Sequence, residues 1–153
     1  MKNYLLEQFN ATYNKKNWFV SLLDAVKDLT EAQAREKAKS DINSIYELVT
    51  HLTFWNERYL HKLRNHKLNE VADNDDTFKN EANLHFDQLM AKAEHVFSQW
   101  QMELAKPESF PQGESSDWNS IVGHISSHNA YHIGQIVILR KLQGSWDKAK
   151  GVS

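Results

Sequence analysis

Three histidines, His124, His128 and His132, stand four residues apart in the stretch GHISSHNAYHIGQIVILRKLQG that begins at Gly123. Residues four apart on a helix project from nearly the same face. The spacing therefore fits either a metal-binding edge of imidazoles or a histidine-rich helix surface. Direction distinguishes the three. At 100° per residue, His128 and His132 fall within about 20° of the line through Ile121 and Leu139, whereas His124 lies about 60° off it. The first two thus occupy the middle of the apolar stripe and His124 its edge. A core-facing imidazole must have both ring nitrogens satisfied. Two of them one turn apart are a burden that a shared divalent ion relieves, because neutral imidazole is a common ligand and its other nitrogen can donate to an acceptor. A single histidine in such a place is ordinarily a hydrogen-bonded core residue, but the pair points to metal.

Two imidazoles hold a metal weakly, so a third ligand must come from elsewhere. His51, on the flank of the apolar stripe in HLTFWNERYL, is the best candidate. Among the eight histidines, His61 and His66 lie near a helix end beside Lys62, Arg64 and Lys67 and read as exposed, and His85 and His95 have no partner at ligand spacing. Position 125 is Ile, which removes the His-Glu-x-x-His motif, and no Glu stands three residues before a His. Neither a zincin-type protease site nor a di-iron bundle site is expected, and a mononuclear site is.

Three neutral imidazoles leave a divalent ion its full charge and an open position, the catalytic rather than the structural type of site. Such an ion lowers the pKa of a bound water to about 7, or takes up a thiol as its thiolate. The first leads to hydrolysis, the second to attack by sulfur on an electrophile. The chain has no cysteine, so that sulfur must arrive with a low-molecular-weight thiol. Around the three candidate ligands, His124, Gln135 and Glu47 are the residues expected to stand behind and support them. Glu47 stands one turn before His51, where it either orients the imidazole or completes a helix cap; the cap is the favoured reading. Gln135 either bonds a ligand or is an amide satisfied by backbone. Gly134, inside a helix at a cost of about 1 kcal/mol relative to Ala, predicts the close approach of another helix. Asn129 and Tyr131 lie off the stripe and read as packing or surface residues.

These side chains need helices to hold them. The 153 residues are enough for one domain with a sizeable core, and five glycines and two prolines leave long stretches without breakers. Apolar periodicity predicts a first helix over 2–28, a short capped turn at Thr30, and a second helix from Ser44, where Ser44 and Glu47 have the capping-box spacing. An acidic connection from His66 to Thr77 should lead to a third helix over 77–104. Pro107, Pro111 and Gly113 mark a loop, and a fourth helix is expected over 117–142 with Gly144 as its C-terminal cap. Four such helices make an all-α four-helix bundle, in a single domain spanning 1–153. The second connection is long enough to let helices 2 and 3 run parallel.

Eighteen basic and twenty acidic residues are mixed along the chain, for a net charge of −2. Neither a nucleic-acid footprint nor a membrane anchor is visible, and no signal-length apolar run occurs. The cytoplasm is the expected location.

His51 in a mid-bundle helix, followed late by HNAYHIGQIVILR, resembles the DinB-like superfamily, which includes YfiT-like proteins and bacillithiol S-transferases. The resemblance covers essentially the whole chain, and its specific part is His128 to Gln135. It implies an up-down-down-up bundle and a divalent metal, usually nickel or zinc, held by three histidines that match His51, His128 and His132. It also implies homodimers. His124 matches a preceding histidine that is not the usual ligand. The function expected on this basis is a metal-dependent enzyme acting on a small molecule, a thiol S-transferase or a hydrolase. A metal-binding stress-response or interaction protein without catalysis is the alternative.

Overall fold

The computed structural model describes residues 1–108, 110–111 and 117–151. The loop signal at Gly113 lies outside them. Among the described residues there are six α-helices and no strand: α1 (Lys2–Tyr13), α2 (Leu22–Val26), α3 (Glu31–Arg35), α4 (Ile45–Leu63), α5 (Phe86–Ala105) and α6 (Trp118–Leu142), with short 3-10 turns at Asn74–Phe78 and Lys148–Lys150. The protein is an all-α bundle in which α1, α4, α5 and α6 are the long members. None of the described helices is long and apolar enough to cross a membrane.

Several boundaries follow from local chemistry. Ser44 accepts from the Glu47 N–H while the Glu47 carboxylate accepts from the Ser44 N–H, the reciprocal pairing that starts α4. Thr30 and Gln33 do the same for α3. Asp117 accepts from the N–H groups of Asn119 and Ser120 to open α6. Gly144, at φ 74, closes it in the left-handed region that favours glycine.

Two boundaries differ from the periodicity. The helix expected over 2–28 breaks after Tyr13, and the chain resumes helix only at Leu22. Across the break Asn17 accepts from the Trp18 N–H, and Ser21 caps α2 by accepting from the Asp24 N–H. Asn and Ser side chains offer the backbone partners that compete with a continuous helix. Trp18, inside the interval read as helix, is 99% exposed. The third helix begins at Phe86 rather than Thr77. Thr77 and Phe78 belong to a 3-10 turn capped by Asp73, and Asn83 takes a positive φ of 44° that no right-handed helix allows.

The four long helices enclose a core in which Phe9, Leu52, Phe97, Trp100, Val122 and Ile136 are fully buried. Cross-helix contacts fix their relative directions. Lys2 reaches the carbonyls of Lys106 and Glu108 while Gln101 reaches Asn10, so α1 and α5 are antiparallel. Tyr46 lies against Phe86 and Arg64 against Glu103, so α4 and α5 run side by side in the same direction. That arrangement requires the long 64–85 connection, which must return the chain to the end of the bundle where α4 began. His51 meets His132, and Asn56 meets Asn129, so α6 returns antiparallel to α4.

Candidate metal centre

The α4–α6 pair carries the site. His51 comes from the second turn of α4; His128 and His132 come from successive turns of α6. Their Nε2 atoms converge: His51 to His128 is 3.1 Å and His132 to His128 is 3.2 Å. One ligand nitrogen from each lies within 4.8 Å of the others, a group able to hold a metal ion. Zn–N bonds of about 2.0–2.1 Å in a tetrahedron place neighbouring ligand nitrogens about 3.3 Å apart. The two short separations match that edge.

Hydrogen bonds on the far side of two rings settle which nitrogen faces the centre. The Thr77 hydroxyl donates its only proton to the Asn74 carbonyl at 2.6 Å, so its oxygen must accept at His51 Nδ1, 2.6 Å away. His51 therefore carries its proton on Nδ1 and presents a lone pair at Nε2. His132 donates from Nδ1 to Gln135 Oε1 at 2.6 Å, with the same result. Outer partners of this kind orient a ligating imidazole and raise its basicity. Phe78 fixes the His51 plane further, stacking on it with ring centroids 3.9 Å apart and an interplanar angle of 6°.

Electrostatics keep the cluster neutral. Burial, followed by the neighbouring His132 and His128, lowers the His51 pKa to about 3. Burial and His132 lower that of His128 to about 4. His132 is also lowered by burial, against the opposing hydrogen bond from Gln135. Burial thus favours the neutral imidazole in all three, the state that ligates a cation.

The sequence-predicted residues separate clearly. His51, His128 and His132 come together, and Gln135 bonds one of them. His124 is exposed and lines the mouth of the adjoining cavity without hydrogen-bonding to the three. Glu47 does not orient His51. Its oxygens are taken by the Ser44 N–H and by Lys37 at 3.0 Å, so the cap reading holds and the orienting role falls to Thr77. Thr77 was legible only as a helix start; its position on a connection distant in sequence from His51 gives no local signal. Asn129, read as packing or surface, is fully buried and exchanges two amide hydrogen bonds with Asn56, at 2.7 and 3.2 Å. Gly134 has nothing within 4 Å of where a Cβ would stand, so among the described residues no helix approaches it closely. His66, His85 and His95 are exposed, and His61 is half-buried.

Beside the three nitrogens lies an open cavity of about 530 Å³. His51, Trp55 and Tyr59 form its α4 wall, Ile121, Ile125 and His128 its α6 wall, and Phe78 and Asn74 its edge. A ligand position at the centre therefore communicates with a space of small-molecule size.

The family model described as DinB superfamily matches residues 19–136, well over half of the chain. No curated protein and no solved structure matches it.

Proposed function

The chain belongs to the DinB superfamily, and on that premise we propose that it is a metal-dependent enzyme acting on small molecules, of the thiol S-transferase type. The observation that carries this reading is the convergence of the Nε2 nitrogens of His51, His128 and His132 beside an open cavity. His51, His128 and His132 would hold one divalent ion, nickel or zinc. When bound, such an ion supplies a Lewis acid that acidifies a thiol or a water without a protein base.

The remaining work belongs to the chain. Thr77 and Gln135 hold the protons of His51 and His132 on Nδ1 and so keep the ligand pairs aimed inward. Phe78 stacks on the His51 ring and Trp55 meets it edge-on, which fixes the plane of that imidazole. No carboxylate lines the cavity among the described residues, so a thiol or a water there would rely on the ion rather than on a carboxylate base for its activation. In the transfer, the S–H bond breaks and its proton leaves to solvent. The sulfur pair forms a bond to the electrophilic carbon, and the leaving group departs with the displaced pair. The absence of cysteine makes the thiol a co-substrate.

Elemental analysis of protein purified without added metal tests the centre. About one nickel or zinc per chain is expected, with loss in both His51→Ala and His132→Ala. Stoichiometric metal in both variants would remove this site. A panel of small thiols with a chromogenic electrophile tests the reaction; the absence of metal-dependent turnover with every thiol would leave a metal-binding protein without catalysis.

A further inference from the structure

The spacing that stacks ligands on α4 and α6 also stacks the walls of the cavity. Continuing from His51 by four residues at a time, α4 presents Trp55 and Tyr59, whose rings lie 6.2 Å apart, centroid to centroid. Because α6 is antiparallel, it runs away from His128 towards Ile125 and Ile121 on the facing side. The result is a slot with imidazoles at one end and aromatic and branched side chains along its length. Beyond the three ligands its polar members are Asn56, Asn74 and, at the mouth, the exposed His124, and the Asn56 amide is already occupied by Leu52 and Asn129. No Lys or Arg lines the slot among the described residues. None of the residues outside the description, Ser109, 112–116 and 152–153, is a Lys or Arg either.

A ligand with several carboxylates or phosphates needs cationic partners when it leaves water. Here, apart from the His124 imidazole at the mouth, the cationic partner would be the ion held by the three histidines, at the far end of the slot. We propose that the slot selects ligands with one metal-binding head and an uncharged aromatic or branched apolar body, and discriminates against polyanionic ones. This rests on the three-histidine centre for the head group and on Trp55, Tyr59, Ile121 and Ile125 for the body. Trp55 is the residue on which selection should depend most, because it is half-buried and stands between the imidazoles and Tyr59.

The test uses three thiols that share a sulfur but differ in body: benzyl mercaptan, 2-mercaptoethanol and mercaptosuccinate. Calorimetric titration into the zinc-loaded protein should show benzyl mercaptan binding at least about tenfold more tightly than either of the others, a separation typical of burying one aromatic group. Trp55→Ala, with its zinc content and helicity unchanged, should bring the three within about twofold of one another. Ile121→Lys, placed on the half-exposed rim, should turn the preference towards mercaptosuccinate. Equal or tighter binding of mercaptosuccinate by the wild-type protein would overturn the proposal, as would a preference that survives both substitutions. A separate arm needs no metal: ligand-observed NMR of benzyl alcohol with the metal-free protein should show saturation transfer that Trp55→Ala abolishes. Transfer without zinc binding would sink the metal centre and keep the slot. Zinc binding without transfer would do the reverse.

Discussion

The α1–α5 and α4–α6 interfaces are both antiparallel helix pairs, yet they fill their interiors in opposite ways. Between α1 and α5, Phe9 packs on Phe97 at 5.4 Å and on Trp100 at 6.1 Å, and Tyr13 packs on Phe97 at 5.3 Å, ring centroid to ring centroid. Almost everything there is apolar and close-packed. At the corresponding depth between α4 and α6 stand three imidazoles, a pair of buried amides and a cavity. Polar groups in such a place must be partnered, whereas apolar ones need only fit. One interface therefore provides stability and the other provides a site, and the bundle tolerates the second because the first is well packed.

That contrast can be broken from either side. The largest effect is expected from Phe97→Ala, which should cost about 3–5 kcal/mol of unfolding free energy by cavity formation. Urea denaturation would measure it; the contrast fails if the loss is no greater than that of Asn129→Ala, which removes one of the buried amides beside the site. Next comes acidification of the metal-free protein. The folded pKa values of His51 and His128, about 3 and about 4, lie below the ordinary histidine value of 6.5. The unfolded chain then binds more protons in between, so this contribution to stability is complete above pH 6.5 and declines as pH falls towards 3. Denaturation midpoints measured from pH 7.5 down to 4 should fall, and they should fall less in His51→Ala with His128→Ala. Equal slopes would show that the imidazoles are not held neutral by burial.

Thr77→Val should lower metal affinity about 10–100-fold, as loss of an outer hydrogen bond to a ligating imidazole does. Competition with a chromophoric chelator would report it, and Thr53→Val, whose hydroxyl bonds only the Val49 carbonyl, should leave affinity unchanged. An equal loss in both would assign the effect to the helix rather than to the site. The smallest change is Gly134→Ala. With open space at the Cβ position, it should stabilise α6 by up to about 1 kcal/mol without altering metal content. A lower melting temperature would mean that something other than this chain's helices sits against Gly134.

How much of this could be read from sequence depended on the range of the interactions. The α6 limits, the Ser44–Glu47 box and the inward direction of His128 and His132 are set within a few residues, and periodicity and capping rules capture them. The break after Tyr13 and the late start of α5 were missed because apolar spacing at Phe19, Phe78 and Ala82 continues across segments that Asn14, Asn17 and the positive-φ Asn83 keep out of helix. Asn129 and Thr77 escaped for a different reason. Their partners, Asn56 and His51, lie 73 and 26 residues away, and off-stripe position carries no information about which neighbour arrives.

The 3-10 turn at Asn74–Phe78 has a consequence beyond aiming His51. It pins the 64–85 connection to α4 part-way along its length, by the Thr77 hydrogen bond and the Phe78 stack. A pin near the middle divides one long loop into two shorter ones, and its ordering entropy is met beside His51. Loop order and occupancy of the three-histidine site would then be thermodynamically linked: an ion that held His51 in place would also hold the loop.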